Sequence, residues 1–184
     1  MITNNFFNVK NKLLIKIFFF FIIFNNLAIA NCNTSTNPSQ SNIETIKVEF
    51  LEYRKWIINL TRILIEPNNS VKLRKKRFKA NIIFELNNNS KCIFHASVRV
   101  HGDLDDHLEL INGNPISSLN INLKEGNIDN ITKFILFVPK SRGFDNEIFI
   151  ATLFKELNYL SPTTFYTEVT VGQITTNYIF QEKI

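Results

Sequence analysis

The chain has 184 residues, 45% of them hydrophobic, and a formal net charge of +5. This length predicts one domain that is large enough to bury a core. The positive excess is concentrated between residues 72 and 79, which hold six lysines and arginines. Such a run can bind anionic surfaces, although it is more often the solvated start of a strand. It lacks the aromatic and glycine pattern of a nucleic-acid module, so no nucleic-acid partner is predicted.

Residues 1–30 carry the three-part pattern of a secretory signal peptide. Lysines precede an apolar run, Ile17–Phe24, and small residues at Ala28 and Ala30 follow it. The apolar run is short for a membrane span. We therefore expect cleavage near Asn31, export of the chain, and no membrane span after cleavage. An uncleaved anchor is the alternative.

Residues 31–42 are polar and show no periodicity, which predicts a disordered linker before a domain at 43–184. Export places the chain in an oxidising compartment, where its two cysteines, Cys32 and Cys92, can form one disulfide. Burial of Cys92 as a small apolar residue is an equal alternative. Lipidation of Cys32 is a further one.

From Ile43 onward the patterns predict an α+β domain, with a mostly antiparallel sheet and one main packed helix. A stripe of aromatic and aliphatic residues at three- and four-residue steps predicts a helix over Val48–Ile65, entered from a short strand at Ile46–Val48. Alternating or continuous apolar patterns predict strands at Arg77–Leu86, Lys91–His101, Ser117–Leu123, Lys133–Val138, Phe165–Val171 and Thr175–Phe180. The run Lys133–Val138 is apolar throughout, which predicts a strand buried on both faces. Alternation along Lys91–His101 predicts one apolar face, formed by Cys92, Phe94, Ala96, Val98 and Val100.

A second helix is predicted after Pro139–Gly143, with Asn146 as its N-cap. Trp56 of the first helix and Phe149 of the second are expected to be mostly buried. The apolar positions of the second helix are Ile148, Phe149, Leu153, Phe154 and Leu157.

Chemistry-bearing residues concentrate at the end of the predicted strand Lys91–His101, between Val98 and His107. Side chains alternate along a strand, so Arg99 and His101 are predicted to project from the same face. Gly102 ends the strand, and Leu104–Pro115 is predicted to be a loop. The histidines and aspartates of this stretch fit no standard zinc spacing, so no metal site is predicted.

Several short motifs follow one another between Val98 and the C-terminus. They are the glycine turn Val98–Asp103, the apolar strand before Pro139 and Arg142, the helix start Asn146–Phe149, the corner Leu160–Thr163 and the closing Phe180–Lys183. In this order they resemble the CotH-type kinases, the spore-coat-kinase-like family. The resemblance covers roughly Lys79 to the C-terminus. It implies a fold like a kinase small lobe and ATP-dependent phosphorylation of a protein substrate with magnesium.

The resemblance assigns nucleotide-binding roles by position. Glu147 is implied as the helix acid, and Glu182 as the end of the strand that leads to the lobe junction. Asn120 and Asn122 stand where the family has lysines, which leaves Lys124 as the nearest cation. The implied cofactor-binding residues are Arg99, His101, Gly102, Asp103, Lys124, Glu147 and Glu182.

The resemblance places the catalytic base and the metal-binding aspartates after residue 184. This chain is therefore expected to correspond to a small lobe that is inactive alone. The alternatives are an exported surface-binding or adhesion protein and a structural envelope protein, neither of them catalytic. The substrate or surface ligand is not specified by the sequence.

Overall fold

The computed structural model describes residues 43–66, 70–87, 90–102 and 105–184. The predicted signal peptide and linker, together with Cys32 and Asp103, lie outside them. The described strands are β1 (Ile43–Phe50), β2 (Phe78–Leu86), β3 (Lys91–Val100), β4 (Leu108–Ile111), β5 (Asn114–Ser117), β6 (Leu119–Leu123), β7 (Lys133–Phe137), β8 (Thr164–Val171) and β9 (Ile174–Glu182). The described helices are α1 (Tyr53–Ile65), α2 (Ser70–Lys75) and α3 (Asp145–Glu156), with short 3-10 turns at Asp105–His107 and Pro139–Arg142.

Seven strands form a closed barrel in the order β1-β2-β3-β6-β7-β9-β8. Neighbouring strands are antiparallel except β1 and β8, which pair in parallel from Thr45 opposite Glu168 to Val48 opposite Val171. The predicted α+β layout, resembling a kinase small lobe, is therefore wrong. The domain is mostly β, and β1 closes the sheet by pairing with strands on both of its sides.

The strand β1 is longer than the sequence pattern predicts. The pattern assigns Val48 and Phe50 to the first helix, but both belong to β1 and point into the barrel with Ile46. Alternation of buried and exposed residues continues to Phe50, and the helix begins only at Tyr53. Strand pairing on both sides of this segment outweighs its helical spacing, because it satisfies the backbone groups of the whole strand.

The barrel interior is filled by side chains at alternating strand positions, as the sequence predicts for β3. The inward positions of β3 are Cys92, Phe94, Ala96, Val98 and Val100, all buried. Four aromatic rings from other strands share this interior. The ring centroids of Phe84 and Phe134 are 5.8 Å apart, and the Phe180 ring stacks on those of Phe134 and Phe165, with 4.7 Å between centroids in each pair. The predicted burial of β7 on both faces is confirmed, because Ile135 and Phe137 are covered on the outside as well.

Helix α1 packs at the barrel end where β1 finishes and β2 begins. The Trp56 ring stacks on Phe50 at 4.2 Å and meets the edge of Phe78 at 5.3 Å. Trp56 is 1% exposed, so its predicted burial is confirmed. Asn59 is also buried, and its amide donates a hydrogen bond to the carbonyl of Leu73 in α2.

The predicted loop at Leu104–Pro115 contains a β-hairpin, formed by β4 and β5. Its turn is Asn112-Gly113, where both residues have positive φ, 50° and 77°. An Asn-Gly turn of this kind matches the twist of a two-stranded hairpin. This dipeptide was the sequence signal for the hairpin.

Helix α3 lies on the outside of the barrel, where Ile148 packs on Ile135, Phe137 and Ile179. It begins at Asp145, and Phe144 is its N-cap residue, so the predicted Asn146 cap is wrong. The predicted burial of Phe149 is also wrong, because that ring is 65% exposed.

Cys92 is disulfide-bonded in this structure. The sequence holds one other cysteine, Cys32, which lies outside the described residues. Within the described part of the chain, no helix has the length and apolar character to cross a membrane.

Candidate anion-binding site

One row of outward-facing side chains crosses four adjacent barrel strands. Arg99 of β3 lies opposite Asn120, Asn120 opposite Ile135, and Ile135 opposite Gln181. The Gln181 amide donates a hydrogen bond of 2.5 Å to Glu147 Oε1. Arg99 and Glu147 therefore lie on the same outer face of the barrel.

His101 lies next to this row, beside the end of β7. Its ring meets Phe137 edge-on at 5.0 Å and His107 at 5.3 Å. The guanidinium of Arg142 stacks over the same Phe137 ring at 4.0 Å. Among the described residues, His101 Nδ1 and Arg142 Nε are buried and have no hydrogen-bond partner. Two polar atoms that need a partner thus lie on this face.

The charges around His101 are predominantly positive. Burial is the main cause that lowers the pKa of His101 to about 4, followed by repulsion from His107, Arg142, Arg99 and Lys183. The imidazole is therefore neutral at neutral pH, and each of its nitrogens can serve as donor or acceptor according to the tautomer.

A further arginine, Arg77, adjoins the same group. Burial and the nearby charge of Arg99 lower its pKa, and its Nη1 donates a hydrogen bond to the Ser97 carbonyl at 3.4 Å. We call Arg77, Arg99, Arg142 and Lys183, with His101 among them, the basic face. Glu147 approaches it through an ion pair of 3.9 Å with Arg142.

Asn120 adds an unusual polar group to this face. It is 1% exposed although it points away from the barrel interior, and neither its amide nitrogen nor its oxygen has a hydrogen-bond partner in the part of the chain that the structure describes. A buried carboxamide without partners costs free energy. A ligand or water that reaches Asn120 would remove this cost.

Gly102 follows His101 at a tight turn. Its φ is +80°, and a Cβ built on it would lie 1.8 Å from the His107 ring. Arg74 Nη1 donates a hydrogen bond to the Gly102 carbonyl at 3.5 Å. The turn thus requires glycine, both for its backbone conformation and for close approach of the ring. Asp103, the next implied site residue, lies outside the described part of the chain.

Lys124 and Glu182, which the resemblance also implied, lie apart from the basic face. Lys124 is four residues beyond Asn120 along the chain, or about 13 Å at 3.3 Å per residue. The Glu182 carboxylate accepts a hydrogen bond from the backbone N–H of Thr163 at 3.4 Å, and it follows the inward-facing Phe180 by two positions. Neither side chain is placed among the cations around His101.

Sequence reasoning did not assign Arg77, Arg142 and Lys183 to the site. Local alternation indicates that Arg99 and His101 share one face. It does not indicate which other strands lie beside β3. The pairing of β3 with β6, and of β6 with β7, is what brings the later cations to this face.

Among residues 43–66, 70–87, 90–102 and 105–184, no group of three histidine, cysteine, aspartate or glutamate side chains is placed to hold a metal ion. Comparison of the chain with protein-family models, curated proteins and solved structures gives no match. The resemblance to CotH-type kinases therefore stays a prediction.

Proposed function

We propose that this domain binds the phosphate groups of a nucleotide at the basic face. Phosphorylation of a protein would occur only with catalytic groups that the CotH-type resemblance places beyond residue 184. The observation that carries the proposal is the proximity of three cations to His101, namely Arg142, which contacts the same Phe137 ring, Arg99 and Lys183, with Arg77 beside Arg99.

Electrostatics favours an anion here. Cations close to one another on a partly buried surface repel, and the repulsion contributes to the lowered pKa values of Arg77 and His101. A bound anion would replace this repulsion by attraction. Guanidinium groups also match phosphate oxygens in geometry, because they can donate two parallel hydrogen bonds.

Arg142, Arg99 and His101 would each contribute to phosphate binding in a different way. Arg142 is held by the Phe137 ring and by Glu147, so it loses little conformational freedom when it meets an anion. Arg99 is partly exposed and can supply charge to the anion. His101, being neutral, can donate one hydrogen bond without an added charge.

The residues of the basic face suit the phosphate groups of ATP but not magnesium. The cations and unpartnered donors suit phosphate groups, which carry negative charge and accept hydrogen bonds. The donor set for magnesium is not present among the described residues, since Glu147 is engaged by Gln181 and Arg142. The proposal for the described domain is therefore limited to phosphate binding and includes no catalytic step through magnesium.

A second candidate is an exported binding protein without catalysis. The closed barrel favours it, because the kinase interpretation depends in part on a fold like a kinase small lobe, which the described domain does not have. Export remains part of both proposals. The disulfide at Cys92 supports it, since such bonds persist mainly in oxidising compartments.

The test is calorimetric titration of the purified protein with ATP, ATP plus magnesium, pyrophosphate and adenosine. We expect ATP and pyrophosphate to bind, adenosine not to bind, and affinity to fall with added salt. Arg99→Ala should weaken pyrophosphate binding about tenfold, or about 1.4 kcal/mol, as expected for loss of one charged hydrogen bond. Lys47→Ala removes a cation from β1 and serves as the matched control.

Two outcomes would contradict the proposal. Absence of binding by any phosphate compound would remove it, and so would equal loss in the Arg99 and Lys47 variants. A radiolabel-transfer assay with a mixed-protein acceptor separates the two candidates. We expect this chain alone to transfer no phosphate to the acceptor proteins. Robust phosphate transfer would show that the described domain carries catalytic groups that we do not assign to it.

A further inference from the structure

Helix α3 exposes a large apolar surface, independent of the basic face. Four of its large apolar residues are more than 40% exposed, Phe149 at 65% among them. Leu157 at the helix end and Tyr159 and Leu160 beyond it are exposed as well, Leu160 at 82%. We call this surface the α3 stripe; it consists of Phe149, Ile150, Leu153, Phe154, Leu157, Tyr159 and Leu160.

The helix geometry explains why these residues are exposed together. At 100° per residue, the stripe positions from 149 to 157 span about 140° around the helix axis. Ile148 and Ala151, which face the barrel, fall on the other side of the axis. The helix thus buries its narrow face and turns its broad apolar face to solvent.

The segment after α3 extends the same surface. Asn158 adopts a left-handed φ of 59°, which ends the helix, and the Tyr159 backbone N–H bonds back to the Phe154 carbonyl at 2.8 Å. This is the usual arrangement of a helix C-terminus. The Tyr159 ring then lies 6.1 Å from the Phe154 ring. The stripe is therefore continuous across the end of the helix.

The exposed area of the α3 stripe is comparable with that of a protein interface. Large apolar side chains expose roughly 150–250 Å² each when free, so the observed exposures amount to on the order of 700 Å². A soluble monomer rarely exposes an apolar patch above about 300–600 Å². A standard interface buries about 800 Å² on each partner. The stripe has the size of one side of a stable interface.

We propose that the α3 stripe is the contact surface of a homodimer, covered by the α3 stripe of a second copy. Within α3, no charged residue interrupts the apolar stripe, so it offers no charge pattern that would select a different protein. When the two-fold axis is perpendicular to α3, the two helices are antiparallel. The N-terminus of one helix then approaches the C-terminus of the other, which the helix dipoles favour.

The test is the oligomeric state of the full chain, measured by sedimentation equilibrium between about 1 and 100 µM. We expect the wild type to be a dimer. The double variant Phe149→Asp with Leu153→Asp should raise the dimer dissociation constant at least about 100-fold, because Phe149 and Leu153 would each be a large apolar side chain buried at the contact. The matched control is Ile58→Asp with Ile65→Asp, two exposed apolar residues of α1. This control should remain dimeric. Circular dichroism should show that both variants are folded.

Every outcome of this experiment bears on the proposal. A wild-type monomer at 100 µM would overturn it. Association that persists in the Phe149/Leu153 variant, or that is lost in the α1 control, would assign the contact to another surface. Capture of a different protein at the stripe, with the purified chain monomeric, would also overturn it. Phosphate binding is measured separately and does not depend on the result.

Discussion

Protonation of His101 is expected to destabilise the folded protein. In the unfolded chain a histidine has a pKa near 6.5, whereas burial and the surrounding cations lower the pKa of His101 to about 4. Between these two pH values the unfolded state binds a proton that the folded state does not. The free energy of unfolding should therefore fall as the pH falls from about 6.5 to about 4, and His101 should contribute no further change above that window.

The size of the effect follows from the separation of the two pKa values. At 1.36 kcal/mol for each pKa unit, the separation corresponds to about 3 kcal/mol. Solvent reaches part of the ring, which is only partly buried, and screens the repulsion. We therefore expect about 1–2 kcal/mol. That is a measurable part of the stability of a small domain.

The assay is urea unfolding of the wild type and of His101→Gln at pH 7.5 and at pH 4.5. Glutamine is neutral at both values, so the variant should lose about 1–2 kcal/mol less stability than the wild type on acidification. His95→Gln is the matched control, because that side chain is 69% exposed, and it should behave as the wild type does. Other titrating groups contribute equally to all three proteins and cancel in the comparison.

The same residue links stability to the proposed anion site. A phosphate at the basic face would favour the charged imidazole, so pyrophosphate should raise the pKa of His101 in a histidine NMR titration. Equal acid sensitivity of the wild type and the His101→Gln variant would refute the electrostatic argument. An unchanged His101 pKa in saturating pyrophosphate would refute the location of the anion.

Two further predictions concern the turn and the N-terminus. Gly102→Ala should lower the free energy of unfolding by about 2–4 kcal/mol, because a Cβ there meets the His107 ring and adds to the strain of a positive φ. Gly113→Ala is the control, since its φ is similarly positive but nothing lies within 4 Å of the added carbon; it should cost only about 1 kcal/mol, and equal losses would show that the ring contact is unimportant. N-terminal sequencing of the exported protein should begin near Asn31, and an intact Met1 on a cytoplasmic product would contradict cleavage.

Much of the local structure could be predicted from the sequence. The alternation in β3 correctly indicated which of its residues point to the core, since this alternation follows from the geometry of a single strand. The apolar run of β7 likewise indicated burial on both faces.

The amphipathic pattern of α3 was informative only in part. Periodicity shows that a helix has an apolar side, but it does not show what covers that side. The sequence pattern predicts that Phe149 is mostly buried. In the structure Ile148 packs on the barrel and Ala151 is buried, whereas Phe149 is exposed.

Closure of the barrel and assembly of the basic face were decided by the tertiary structure alone. Hydrophobic alternation determines the face of a strand but does not name its neighbours, so the parallel pairing of β1 with β8 left no local signal. The same holds for Arg142 and Lys183, which come within range of His101 only because β3, β6, β7 and β9 lie side by side. The sequence determined which side chains each strand presents, and long-range pairing determined which of them meet.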